Sequence, residues 1–504
     1  MATGAAEGRN LPPMPGEVRL AKALHPRDRM RIFWVLLGVL LLGVICFSPA
    51  WPDAVDSQGA RFPLSTAAKA ALGLYAMALV WWVAEVVPIG ITAVAIGVLQ
   101  ALLSIRPAAA AFRDFMDPSI WFIFASLAIG MTFTKTGLTK RAAYRMLVLV
   151  GERTSMIYLG SFAMIALLAL VMAHTAVAAS IFPLLMAIHS LYEDSDKPTR
   201  FGKGLFIGMA FVAASASVVS LLGSARAPVS VGFFKAMAGR EISFFELLYY
   251  MLPLGWGMAL LLWGYCRILY PPERQSIPGL RQRARALYDR LGPMSRQEKL
   301  ALATVLGAVV VLGACSLALS SRMPDQTAVV LSTTVLLFLF RILTIQDLEE
   351  IPWNIVLLFG GAMSMGTGLW VTGAARWLGV QLLVFLQPVP GSVFVLGLGL
   401  FLLVTTNMVM NVAAIALCLP VGLVVAPYLG VAPEVVMFTA LAAAGQPFLL
   451  LIGAAPNAIA FGSRQFSAGE FFRAGLPASI LLMLVLGLFV YWIWPGMGMP
   501  VLLP

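Results

Sequence analysis

Apolar residues run along this chain in blocks of about 20, the length an α-helix needs to cross the hydrocarbon core of a bilayer. Nine blocks are uniform enough to read as ordinary spans, near residues 32–48, 66–83, 86–104, 119–136, 249–268, 299–318, 327–341, 354–371 and 475–494. Four others, near 161–189, 204–235, 395–427 and 436–463, are too long for one straight span and too short for two. Each is also interrupted at its centre by polar residues, glycine or proline. The pattern predicts re-entrant hairpins over 161–189 and 395–427 and broken helices over 204–235 and 436–463. If both hairpins enter and leave on one side, about eleven transmembrane helices remain. The expected fold class is an all-α polytopic membrane protein with its amino terminus inside and its carboxyl terminus outside.

Composition supports this class. Of 504 residues, 60% are hydrophobic and 11% charged, against about 25% charged in a soluble domain. The net charge of +11 could suggest nucleic acid, but the basic residues fall in alternate loops, as the positive-inside rule requires. About 25 Lys and Arg lie in segments assigned to the cytoplasm and about 8 outside. The implied anionic partner is the lipid surface of a plasma membrane, bacterial and inner, with no nucleic acid. The apolar run after the basic tail has no cleavage site and reads as an uncleaved first span. Cys46, Cys266, Cys315 and Cys418 lie in or beside apolar runs without paired spacing, so neither a disulfide framework nor a zinc site is indicated.

A long basic segment over 271–299 separates halves that echo one another. WFIFASLAIGMTFTKTGL from Trp121 resembles WNIVLLFGGAMSMGTGLW from Trp353, and HTAVAASIFPLL at His174 answers NVAAIALCLPVG at Asn411. An odd number of spans separates corresponding elements, so the two repeats are inverted in the membrane, a design of many secondary transporters. The chain then divides into a cytoplasmic tail (1–31), first helices with an interfacial arm (32–160), and a first hairpin with its broken helix (161–248). A central part with a second arm (249–394), a second hairpin with its broken helix and last span (395–494), and an outer tail (495–504) complete it.

The interruptions place polar groups at membrane depth in four stretches: Ala173-His174-Thr175, Gly223 to Ala227, Met410-Asn411-Val412 and Gly453 to Asn457. Arg226 draws most notice, because a guanidinium in hydrocarbon costs several kcal/mol, roughly 2.5 to 3.5 on insertion scales, unless paired or wet. It is read either as a ligand or cation of the site or as a structural charge satisfied by carbonyls at the break. His174 is read as a proton-coupling group or as a neutral histidine bonded inside its hairpin. Asn411 and Asn457 either meet a ligand or satisfy exposed backbone. Glu85 reads as structural, and His25 and His189 as surface residues.

WWVAEVVPIGITAVAIGVLQ, IPWNIVLLFGGAM and APNAIAFGS together resemble segments of the divalent anion:sodium symporters (DASS), a likeness extending over about residues 66 to 494. The resemblance implies a homodimer with a fixed scaffold and an elevator-type transport domain, and substrates such as dicarboxylates, citrate or sulfate. It implies substrate contacts at Thr175, Asn411 and Asn457, to which the intramembrane His174 and Arg226 are added as candidates from their own chemistry, and no cofactor beyond sodium as coupling ion. The chain departs from the family pattern. Each hairpin tip of the family carries Ser-Asn-Thr, of which only Thr175 and Asn411 remain here. The family's Gly-Thr-Pro-Pro-Asn keeps Pro456 and Asn457 in the second break, whereas the first has gained Arg226. Sodium ligands are therefore expected only in the second repeat, at Thr406, Asn411 and Gly453. The functional expectation is secondary transport of small anions with reduced or altered sodium coupling, with a sodium-independent exchanger or uniporter as the alternative. A channel is less favoured, as no ring of charges or filter loop is present. An enzyme is not indicated, because paired intramembrane carboxylates and metal or nucleophile motifs are missing.

Overall fold

The computed structural model describes residues 26–55, 60–193, 197–317, 325–386 and 389–503. The basic tail through His25, used above in arguing sidedness, and the final residue Pro504 lie outside the described residues. Before the first hairpin come α1 (Pro26–Phe47), α2 (Thr66–Val83), α3 (Ile89–Leu102), α4 (Ala108–Arg113), α5 (Pro118–Thr136) and the amphipathic α6 (Leu138–Val150). Limbs α7 (Thr154–Leu168) and α8 (His174–Tyr192) form that hairpin, and α9 (Arg200–Ala216) and α10 (Arg226–Ala238) the first broken helix. α11 (Phe244–Leu269) leads to α12 (Leu280–Arg290) in the basic central segment.

The second half repeats this order. α13 (Arg296–Leu317), α14 (Gln326–Leu339), α15 (Ile345–Glu350), α16 (Trp353–Val371) and the arm α17 (Ala374–Leu386) precede the hairpin limbs α18 (Gly391–Met408) and α19 (Asn411–Val425). α20 (Pro433–Ala444) and α21 (Ala455–Phe461) are the second broken helix. α22 (Ala468–Leu488) passes through a π-helical turn, Phe489–Ile493, into α23 (Trp494–Gly496). Among the described residues, ten helical stretches are long and apolar enough to cross a membrane, by length and composition, and they include α8, α18 and α19 of the hairpins.

Reciprocal packing shows the internal symmetry. α5 packs on α14, while its counterpart α16 packs on α3, the counterpart of α14. Likewise α10 lies on α19 and α20, while α21 lies on α8 and α9. Each exchange pairs an element of one repeat with the matching element of the other, as a pseudo-twofold relation requires. Glycines set the closest approaches: a Cβ on Gly361 of α16 would come within 2.5 Å of the Ala93 backbone in α3.

Several boundaries differ from expectation for identifiable reasons. The first hairpin starts at Thr154, since Gly151 at φ +76° ends α6 and the polar residues that follow are absorbed by packing. Tyr158 of that limb is buried and donates from its hydroxyl to Phe201 O at 2.9 Å. The second half of the second broken helix is short, because Gly445, Pro447 and Gly453 keep the chain from resuming an α-helix before Ala455. α22 begins at Ala468, where Ser467 and Glu470 form a reciprocal capping box.

Candidate functional site

Four helix ends converge where tips meet breaks. At the first tip the backbone turns between Leu168 and His174, and His174 N donates to Gly223 O at 3.2 Å. Gly223 is required by this seating, since a Cβ there would stand 2.1 Å from Ala169 O. At the second tip, Gly453 lies against Thr406 O and Asn407 Cα, with room for no Cβ beside Pro447. Each tip therefore rests on the break of its own repeat, and each break packs its following helix against the other repeat.

Arg226 is the first residue of α10 and is 1% exposed. A cation at a helix amino terminus opposes the dipole of its own helix, and its side chain turns to the carboxyl end of α9 instead. There Nη2 donates to Ala214 O at 3.1 Å and to Ser217 Oγ at 2.7 Å, closing the last turn of α9. Nη1 reaches across the repeat boundary to Asn411 Oδ1 at 3.0 Å. The Asn411 amide orientation follows from its neighbours, its nitrogen donating to Thr406 Oγ1 at 3.0 Å and Gly453 O at 3.2 Å. Thr406 Oγ1 in turn donates to Ala444 O at 2.7 Å, the last carbonyl of α20. Gly445 leaves space for the guanidinium, since a Cβ there would lie 2.7 Å from Arg226 Nη2. Nε has no hydrogen-bond partner among the described residues.

The structure thus unites Arg226, Asn411, Thr406 and Gly453 in one buried network. His174 and Thr175, seated on the same break, stay outside that network and line a cavity of about 660 Å³ with Ala225. Gly130 and Thr134 of α5 and Glu350 of α15 line the same space, whose wall also carries the Lys135–Asp347 ion pair. Asn457 turns its amide nitrogen inward, donating to Pro447 O at 2.7 Å and Leu450 O at 3.0 Å, so it braces the irregular backbone of its break.

Three supporting residues escaped the sequence reading. Asn407 Oδ1 accepts from the amides of Leu449 and Leu450 at 2.7 and 3.1 Å, fastening the second tip to its break. Gln446 Oε1 accepts from Ser215 Oγ at 2.6 Å, tying that break to α9. Ser217 receives Arg226. Each is a polar side chain within an apolar block, the signal that singled out Arg226, and the same criterion applied evenly would have found them.

A helical membrane protein whose paired hairpins and broken helices meet between two inverted halves has the architecture of a transporter. The profile of the sodium:sulfate symporter transmembrane region matches residues 32–499. The chain belongs to this family, the divalent anion:sodium symporters, a family of transporters. Among relatives, the sodium-dependent dicarboxylate transporter SdcS of Staphylococcus saprophyticus is 25% identical over 437 residues, covering 82% of this chain and 84% of that one. SdcS of Staphylococcus aureus strain MRSA252 is 26% identical over 450 residues, covering 84% and 86%. The fold is shared with solved structures of Neisseria gonorrhoeae MtrF, from a class of antimetabolite efflux pumps, and of the Alcanivorax borkumensis YdaH transporter. MtrF has a TM-score of 0.54 at 15% identity over 94% of this chain and 96% of that one. YdaH has a TM-score of 0.55 at 14% identity over 94% and 99%.

Proposed function

We propose that this protein is a secondary transporter of small anions, foremost dicarboxylates, in which Arg226 stands where a coupling sodium ion would otherwise bind. The observation that carries the reading is the 3.0 Å contact of Arg226 Nη1 with Asn411 Oδ1, an oxygen expected among the sodium ligands. Thr406 Oγ1 and Gly453 O are engaged in the same network. The carboxyl ends of α9 and α20 carry partial negative charge, which suits a cation, and the guanidinium lies at that junction as a permanent one.

The substrate class follows from the relatives named above. The pocket for the anion is the cavity bordered by His174 and Thr175, where the amino end of α8 favours negative charge. In this reading the eleven-span topology has its amino terminus in the cytoplasm, and the tips and breaks move as a transport domain against a dimeric scaffold in an elevator cycle. The sodium dependence named for the SdcS relatives favours a second reading, in which sodium binds after Arg226 swings away from Asn411. Proteoliposomes decide between them. Labelled succinate and sulfate uptake should proceed equally in sodium and choline, and should rise when unlabelled anion is loaded inside. Uptake that requires sodium and ignores internal anion would overturn the proposal.

A further inference from the structure

A second cavity, of about 200 Å³, lies between the arm α6, hairpin limb α8 and α12 of the central segment. It is separate from the tip cavity, although Ser180 lines both. Its walls are apolar, formed by Leu147 of α6, Leu184 and Leu191 of α8, and Leu287 of α12. Its lining also carries two cations, Lys140 of α6 and Arg283 of α12. Both are exposed, and neither has an ion-pair partner among the described residues. The contrast is Arg141, next in sequence to Lys140, which is paired with Glu298 at 2.9 Å.

The shape of α12 explains why this slot stays open. Leu280 and Ala284 are buried and hold the helix down, while Leu287, one turn further, is 40% exposed. The opposite face is basic, with Arg281 and Arg285. A basic amphipathic helix beside an amphipathic arm belongs at the boundary between acyl chains and anionic headgroups. We propose that this slot holds one anionic phospholipid, with its phosphate between Lys140 and Arg283 and an acyl chain lying along α8. Charge complementarity selects this occupant: the walls take hydrocarbon, and the two unpaired cations take one phosphate. The lipid would hold the C-terminal part of α8 against α6 and α12, towards the end of the limb away from His174 and Thr175. The inference requires that the protein sits in a membrane, not that it carries a particular substrate.

The test is lipid retention by the purified full-length chain in detergent, measured by native mass spectrometry with phosphatidylglycerol or phosphatidylcholine added. Phosphatidylglycerol should be retained about tenfold or more over phosphatidylcholine. Lys140→Gln with Arg283→Gln should abolish the preference, whereas Arg281→Gln with Arg285→Gln, on the opposite face of the same helix, should preserve it. Ala187→Trp fills the slot without altering charge and should also displace the lipid. Equal retention of both lipids, equal loss in the two charge pairs, or undiminished retention in Ala187→Trp would overturn the assignment. Displacement of the lipid by inorganic phosphate alone would instead make this a free-phosphate site. All these readouts concern binding, so they stand apart from the outcome of the uptake assays.

Discussion

Replacing Arg226 with glutamine should convert the protein towards sodium dependence. Nη1 lies 3.0 Å from Asn411 Oδ1, so a sodium ion on that oxygen would sit about 4 to 5 Å from the guanidinium. At an effective dielectric constant of about 20, two unit charges at that separation repel by about 3 to 4 kcal/mol. That amounts to two to three orders of magnitude in sodium affinity. Glutamine removes the charge and is shorter, its amide ending near the position of Nε, so that Asn411, Thr406 and Gly453 become available as sodium ligands. The assay is succinate uptake into proteoliposomes over a range of external sodium at constant ionic strength, together with sodium-induced thermal stabilisation of the purified variant. The wild type should be indifferent to sodium, and Arg226→Gln should respond in both measurements. Removal of Asn411 from the variant, by Asn411→Ala, should cancel the response. A wild type stabilised by sodium as strongly as the variant would refute the electrostatic reasoning.

Gly223→Ala forces a Cβ to within 2.1 Å of Ala169 O and unseats the first tip, so the melting temperature should fall, at a cost of about 1 to 3 kcal/mol; an unchanged melt would show that the tip does not rest there. Asn407→Ala strands the amides of Leu449 and Leu450 and should destabilise by about 2 to 4 kcal/mol, with reduced uptake per folded molecule. For Glu273, burial raises the carboxyl pKa, but the amides of Arg200 and Phe201 and the Tyr192 hydroxyl outweigh it and hold the group below the usual range. Its stabilisation is therefore complete above the unfolded carboxylate value, about 4.3, and is lost as pH falls through the lower folded one. Melting curves from pH 7 downward should show a larger loss in the wild type than in Glu273→Gln; parallel curves would count against the linkage.

The fold was legible wherever one physical rule dominated. α2 occupies the expected span at 66–83 because its apolar block is bounded by the Ser65 cap and the turn after Val83. Both hairpins could be read because a membrane tolerates irregular backbone only where protein covers it, so an interrupted block of intermediate length has few other solutions. The site was harder, because its geometry depends on side-chain reach between repeats. The position of Arg226 suggested a substitute cation in the first repeat, where side-chain oxygens are scarce. The guanidinium instead extends to Asn411 of the second, past Gly445, and neither the distance nor that opening can be read from spacing along one chain. The shared surface of α10 and α19 became visible only in three dimensions. Asn457, by contrast, does what an asparagine beside proline in a broken helix is generally needed for, which is to satisfy stranded carbonyls.

A sodium ion that helps bind an anion can leave when the anion leaves, but a guanidinium anchored in α10 cannot. In the proposed cycle, the empty protein would have to carry its positive charge across the low-dielectric barrier. A field of 100 mV acts on one such charge with about 2.3 kcal/mol, before any cost of desolvation. A dianion on board changes the sign of the moving load from +1 to −1. The return stroke is then easiest with a second anion bound. In that proposed cycle, fixing the cation in the chain would turn an ion-gradient device into a counterflow device whose loaded and empty forms respond to membrane voltage in opposite directions.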